Sequence, residues 1–339
     1  MDRPTLAAPL DAGFTLLTGL MDAARIIPDR LKAKDNSLPL TILSGFLGAG
    51  KTTLVNRLLT EPEGRRIVVL VNDFGSLDID ARLIRSRSST TISLANGCAC
   101  CTVAGDLSRA LVEIAQSEAL PDAILLEASG LADPRGIAQV ALANPALRLD
   151  GIVTMVDAET VVQYAQEPEI AALFTSQVSA ADLLILNKVD LVGDAIAGAR
   201  AAVAALAADK PVIQTAQASV PPAIVFGITT PHDAGILGRG EAGHPDAFRS
   251  WNLTWTGQLP GAALRKALSS LPHGVLRAKG ILHLDDEEAP HVYQRVGQRW
   301  SLRPAEPGVA ADALSRLVII GHRGEAEEIS AAVERLKNA

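Results

Sequence analysis

The run Gly45-Phe46-Leu47-Gly48-Ala49-Gly50-Lys51-Thr52 satisfies the spacing G-x-x-x-x-G-K-[ST], and that spacing suits a polyphosphate. Glycines at these positions let backbone N–H groups turn inward around a phosphate without obstruction from a Cβ. A helix beginning near Lys51 adds the positive end of its dipole. The ammonium of Lys51 is placed to bridge the β- and γ-phosphates, and the Thr52 hydroxyl to meet Mg²⁺. Gly45, Gly48, Ala49, Gly50, Lys51, Thr52 and Thr53 are therefore the candidate phosphate contacts.

Further along, Asn187-Lys188-Val189-Asp190 closes the apolar run LLIL. Guanine offers two donors side by side, N1–H and N2–H₂, and one carboxylate accepts both. Adenine presents an acceptor at N1 and nothing at C2, so Asp190 facing it is left as an unsatisfied charge. Asn187 is suited to bracing neighbouring loops and the stem of Lys188 to covering the base. Downstream of a phosphate loop, this motif points to GTP rather than ATP.

Two acids at strand ends are candidates for the chemistry. Leu125-Leu126-Glu127-Ala128-Ser129-Gly130 places a carboxylate where it can hold a Mg²⁺-bound water or orient the attacking water, and puts the Gly130 N–H within reach of a γ-phosphate. Val71-Asn72-Asp73-Phe74-Gly75 ends another run with a second acid, followed by Asp78 and Asp80. Lys51, Glu127 and Asp73 are the catalytic candidates, Asp80 is a weaker one, and Asp78 reads as a solvated loop acid.

All three cysteines of the chain, Cys98, Cys100 and Cys101, fall within four consecutive residues. An odd, clustered set makes a poor disulfide framework. Thiolates bind Zn²⁺ well, and a following helix N-terminus lowers thiol pKa toward the ligating form. In an extended backbone Cys101 faces away from Cys98 and Cys100, so convergence needs a turn at Gly97. Three thiolates leave a coordination position for an acid, a histidine, water or a ligand from another protein. Zn²⁺ is the first expectation, with Co²⁺ and Ni²⁺ as alternatives, since affinity order does not choose among them. The competing readings are small residues filling a tight turn, and redox chemistry, which the C-x-C and C-C spacings fit less well than C-x-x-C.

These motifs need a frame. Seven short apolar runs, LPLTILS, RIVVLV, TTISL, AILLEAS, GIVTMV, LLILN and PVIQT, alternate with helix-like stretches such as KTTLVNRLLT, DLSRALVEIAQS and DAIAGARAAVAALAA. That alternation predicts an α/β fold, a mostly parallel sheet covered on both faces, with ligands at the ends of the strands. The fold class is a P-loop NTPase over 38–220. Residues 221–247 are rich in Pro, Gly, His and Asp and read as a linker. Residues 248–339 carry strand-like FRSWNLTWT, helix-like LPGAALRKALSSL, a strand pair GVLRAKGILHLD and HVYQRVGQRWSL, a strand SRLVIIG and a closing helix EAEEISAAVERLK, a smaller α+β domain with an antiparallel sheet. Residues 1–37 form an extension with one amphipathic stretch from about Ala12 to Leu31.

The bulk numbers narrow the classes. The chain has 339 residues, 48% hydrophobic and 20% charged, with only 3% aromatic, which suits aliphatic packing of helices on a sheet. A formal net charge of −7 advertises neither nucleic-acid nor anionic-membrane binding. No run of eighteen apolar residues and no basic leader into an apolar stretch is present, so the expectation is a cytoplasmic chain. No pattern in the sequence sets an oligomeric state.

In order along the chain, GFLGAGKTTLVNRLL, VNDFG, NGCACC, LLEASGLADP and NKVD resemble CobW-type GTPases, and WTGQLPGAALRKALSSLPHGVLRAKG with SRLVIIG resembles that family's C-terminal domain. The resemblance runs from about Leu38 to the end. It implies GTP hydrolysis coupled to insertion of metal into a client metalloprotein, with metal held by Cys98, Cys100 and Cys101. It also implies an acid of VNDFG near the metal, here Asp73, where many members carry the longer Glu. The linker holds only His232 and His244, against a His-rich stretch in many members, which argues against metal storage. The alternative is a GTP-regulated binding module or scaffold with structural cysteines. No arginine is placed by motif as a finger for the transition state, and such a finger supplies roughly 10³–10⁵ in rate, so slow turnover without a partner is expected.

Overall fold

A computed structural model of the chain describes residues 37–72, 90–94, 110–111, 113–114, 120–227, 248–305 and 314–337. The predicted helix within Ala12–Leu31 and the candidates Asp73, Asp78, Asp80, Cys98, Cys100 and Cys101 lie outside the described residues.

Each of the seven apolar runs is a strand: β1 (Leu38–Gly45), β2 (Ile67–Asn72), β3 (Thr90–Leu94), β4 (Ala123–Glu127), β5 (Leu147–Asp157), β6 (Leu183–Asn187) and β7 (Val212–Gln214). They form one sheet in the order β3-β2-β4-β1-β5-β6-β7, every neighbouring pair parallel. Among the described residues, the helices between them include α1 (Lys51–Thr60), α2 (Pro134–Ala143), α3 (Val161–Tyr164), α4 (Ala171–Ala180) and α5 (Ile196–Leu206).

Period-two alternation explains why these strands are apolar throughout. In β4, Ala123 and Leu125 join the core beneath α1, whereas Ile124 and Leu126 join the core beneath α2. In β6, Leu183 and Ile185 face the first core, and Leu184 and Leu186 pack with Phe174 and Val178 of α4 and Val203 of α5. A strand covered on both faces has no polar side to display.

The sequence at the head of the expected linker is ordered and buried. Residues Pro222–Phe226 form a short helix, α6; all of them are buried, and Ala223, Ile224, Val225 and Phe226 lie in the α1-side core. The apolar PAIVF turn is reason enough for it to leave solvent.

The second domain is a five-stranded antiparallel sheet, order β11-β10-β9-β12-β8, with β8 (Phe248–Thr256), β9 (Val275–Leu282), β10 (His291–Val296), β11 (Arg299–Pro304) and β12 (Leu314–His322). Helices α7 (Gly261–Ser269) and α8 (Ala326–Lys337) cover one face through Leu264, Leu268, Ile329 and Leu336. HVYQRVGQRWSL was expected to supply one strand and supplies two. Gly297, with φ +53°, turns the chain so that Val296 pairs with Arg299.

The two sheets share buried contacts. Phe248, Leu276 and Ile320 enter the core around α6. Arg277, only 2% exposed, donates from Nη1 to Asp150 Oδ2 at 2.7 Å and from Nε to the Ile224 carbonyl at 2.8 Å, and from Nη2 to the Val225 carbonyl. The Gln294 amide donates to the other Asp150 oxygen. Asp150 lies near the start of β5, about 20 Å of strand from Asp157 at its end. The second domain therefore docks away from the carboxyl edge of the parallel sheet. Among the described residues, no helix is long and apolar enough to cross a membrane.

Candidate functional site

Strand β1 runs into the glycine-rich loop and the loop into α1. Gly45, Gly48 and Gly50 have φ of 139°, 79° and 102°, a region L side chains rarely adopt. Two of them tolerate nothing larger: a Cβ at Gly45 would meet the Met155 carbonyl of β5, and one at Gly50 would meet the Asn187 side-chain amide. As N-cap of α1, Gly50 provides no side-chain cap, so the first-turn N–H groups are presented to an anion rather than spent on a capping oxygen. Lys51 is buried and donates to the carbonyls of Gly45 at 2.8 Å and Phe46 at 3.2 Å, folding over its own loop. Ala49 is buried in the same turn, and Thr53 lies exposed on the first turn of α1.

The Thr52 hydroxyl donates to Glu127 Oε1 at 3.1 Å. Glu127 is only 3% exposed and closes β4, in register with Leu43 of β1 and Val71 of β2. Two hard oxygens at that distance match the roughly 2.9 Å between neighbouring ligands of an octahedral Mg²⁺ whose bonds are ~2.05 Å, so this pair fits the ion that accompanies a nucleoside triphosphate. Beyond Glu127 the chain bends back on the phosphate loop. A Cβ added at Gly130 would lie 2.6 Å from Leu47 Cδ2 and 2.9 Å from the Leu47 nitrogen.

On the other side, Asn187 is 2% exposed and ties two loops together. Its Nδ2 donates to the Ala49 carbonyl at 3.0 Å and its Oδ1 accepts from the Ala218 N–H at 2.8 Å. Lys188 takes a left-handed φ of 62° and sends Nζ to Asp157 Oδ2 at 2.5 Å, with Glu159 at 3.7 Å. The Asp157 hydrogen bond and charge, with Glu159 adding, hold the Lys188 ammonium above the usual lysine range against partial desolvation. Asp190 is exposed at the mouth of the turn closed by Leu191 N–H to the Lys188 carbonyl at 3.0 Å.

The structure thus brings Lys51, Thr52 and Glu127 together, sets Gly130 against the phosphate loop, and ties that loop to Asn187. Among the described residues, no three His, Cys, Asp or Glu side chains converge to hold a metal. Three participants escaped the sequence reading. Asp157 ends GIVTMVD as an acid at a strand end, the same signal that singled out Glu127. The loop Thr215–Ser219, with Gln217 at φ 51° and Ala218 at φ 53°, carries no glycine to mark its left-handed turn. Gln177 of α4 has no local signal at all.

A model of the CobW/HypB/UreG nucleotide-binding domain matches residues 39–214, and one of the cobalamin synthesis protein cobW C-terminal domain matches residues 248–337. The chain belongs to the CobW/HypB/UreG family of P-loop GTPases. Within that family it is similar to the zinc chaperone CobW of Pseudomonas aeruginosa, 34% identical over 84% of this chain and 87% of the relative. It is 31% identical to the zinc chaperone CobW of a Sinorhizobium species, over 90% of this chain and 99% of that protein. Among solved structures it is similar to the Zn(II)-bound YjiA GTPase of E. coli, with 26% identity, 89% of this chain and 99% of that one covered, and a TM-score of 0.44.

Proposed function

We propose that this GTPase is a metallochaperone: it binds Zn²⁺ at Cys98, Cys100 and Cys101, with Asp73 beside them, and hands the ion to a client metalloprotein under control of bound GTP. The observation that carries the reading is a matter of register. Asn72 at the end of β2 pairs with Leu94 at the end of β3, and Val71 pairs with Glu127. Asp73 follows β2 directly, and Cys98 follows β3 within four residues. Strands β2 and β3 both end at the edge where Glu127 meets Thr52. The similarity to zinc chaperones over most of the chain supports the same cargo.

In this reading the phosphate loop and Lys51 hold the β- and γ-phosphates, and Asn187, Lys188 and Asp190 hold the guanine. Thr52, with Glu127 beside it, holds Mg²⁺, which when bound neutralises charge on the phosphate oxygens. Glu127 orients the attacking water. Loss of the γ-phosphate alters the loops leaving this edge, and with them the geometry of the thiolate site.

The test is Zn²⁺ affinity by competition with a chromophoric chelator, in the presence of GDP or a non-hydrolysable GTP analogue. It is run on wild type and on a variant with Cys98, Cys100 and Cys101 all changed to Ser. Affinity that depends on the nucleotide in wild type and vanishes in the variant is the expected result. Equal affinity in every nucleotide state would remove the coupling. No tight binding in either protein would leave a GTPase whose cysteines only pack.

A further inference from the structure

The loop that follows Glu127 is held from below by a buried amide. Gln177 of α4 is fully buried, and its Nε2 donates to two carbonyls of that loop, Gly130 and Ala132, each at 3.0 Å. Its own backbone carbonyl accepts from Thr154 Oγ1 of β5 at 3.2 Å, so the helix is pinned to the sheet at the same residue. Reversing the amide would set Oε1 against both carbonyl oxygens, so the orientation is fixed by chemistry. Among the described residues Oε1 itself has no hydrogen-bond partner. A buried amide that spends both donors on one loop and leaves its acceptor unused contributes little net stability. An apolar side chain would fill the space but leave the Gly130 and Ala132 carbonyls without their donor. The arrangement makes sense as positioning.

The exposed side of the same loop is tied to the same helix. Ser176 Oγ donates to Asp133 Oδ2 at 2.7 Å, and Arg135 donates to Ser176 Oγ and Ser179 Oγ at 2.7 Å each. Gly130 is thereby pressed on Leu47 of the phosphate loop, where no side chain would fit.

We infer that Gln177 is a positioning residue for the γ-phosphate: it fixes the Gly130–Ala132 backbone so that the Gly130 N–H meets that phosphate, and α4 is the element that bears any movement when the phosphate leaves. This rests on the reading of Gly130 as the γ-phosphate contact. A ligand that ends at the β-phosphate does not use this loop, so its binding is independent of Gln177.

The experiment compares GDP and a non-hydrolysable GTP analogue on full-length wild type, Gln177→Met, Ser176→Ala and Gly130→Ala, by equilibrium titration and single-turnover hydrolysis with Mg²⁺. Gln177→Met conserves volume and removes both donors. The expected result is GDP affinity within about twofold of wild type, analogue affinity about tenfold weaker, and a lower kcat. Ser176→Ala loosens the loop from outside the core and moves the same ratio by about threefold, which decides the matter if Gln177→Met does not fold. A ratio unchanged in both α4 variants but lost in Gly130→Ala, with GDP affinity kept, overturns the role of Gln177 and leaves the Gly130 contact standing. A ratio unchanged in all three overturns both. Equal weakening of GDP and the analogue by the α4 variants means general loosening and also overturns the inference.

Discussion

Lys188 Nζ lies 2.5 Å from Asp157 Oδ2, joining the residue after β6 to the last residue of β5. The backbones agree with the side chains: Asp157 is in register with Asn187, and the Ala158 N–H donates to the Asn187 carbonyl at 3.0 Å. Asp157 Oδ1 is occupied by the Glu159 N–H at 2.9 Å, so its other oxygen is aimed at the lysine. A left-handed backbone at a non-glycine residue costs of order 1–3 kcal/mol, and this ion pair helps hold Lys188 there.

Asp157→Asn is therefore expected to weaken GDP binding about tenfold, the equivalent of ~1.4 kcal/mol, with phosphate-loop contacts intact. Titration with a fluorescent GDP analogue reads this directly. Unchanged affinity would mean that Lys188 covers the base without help from β5.

Glu127→Gln keeps an oxygen for the Thr52 hydroxyl and removes the charge. Single-turnover phosphate release should fall about 10²-fold or more, while GDP binding stays close to wild type. A variant that hydrolyses GTP at the wild-type rate would reduce Glu127 to a packing residue at the end of β4.

The Asp150–Arg277 pair sits in the junction of the two domains, where burial pulls the Arg277 guanidinium below its usual range and Asp150 opposes that pull. Removing only the acid, in Asp150→Ala, leaves a buried charge and should cost ~3–5 kcal/mol in urea unfolding. The double variant Asp150→Leu with Arg277→Met removes both charges, yet the carbonyls of Ile224 and Val225 lose their donor. It should not recover the loss in full, since each carbonyl left bare costs at least about 1 kcal/mol. Full recovery would show that the grip on α6 is dispensable.

His322 ends β12 in partial burial, with its ring 6.0 Å from that of Phe248 and a hydrogen bond to the backbone of Val212 in β7. Burial lowers its pKa from 6.5, and Glu325 and the Val212 bond oppose the shift without reversing it. A lowered folded value means that the unfolded chain takes the proton first. The associated stability is thus full above pH 6.5 and is lost as pH falls through that value toward the folded one. Urea midpoints at pH 7.5 and 5.5 should drop more for wild type than for His322→Gln. Equal drops would place the acid sensitivity elsewhere.

The phosphate loop, the guanine motif and the seven strands of the first sheet were legible in the sequence because each is a local matter. A glycine-rich turn between an apolar strand and a helix, or a strand buried on both faces, is written in consecutive residues. Glu127 was legible for the same reason, as an acid closing an apolar run. Strand order was not, since nothing in RIVVLV or AILLE says which neighbour it pairs with; that is decided by which faces α1 and α2 can cover together. The same holds for Asp157, which becomes a partner of Lys188 only when β5 and β6 lie side by side, and for Gln177, a helical residue like any other until α4 packs beneath Gly130. Arg277 and Asp150 are 127 positions apart, and no spacing rule connects them. Local motifs report what the backbone must do within a few residues, whereas pairing across the sheet and between the domains depends on packing that only the folded chain completes.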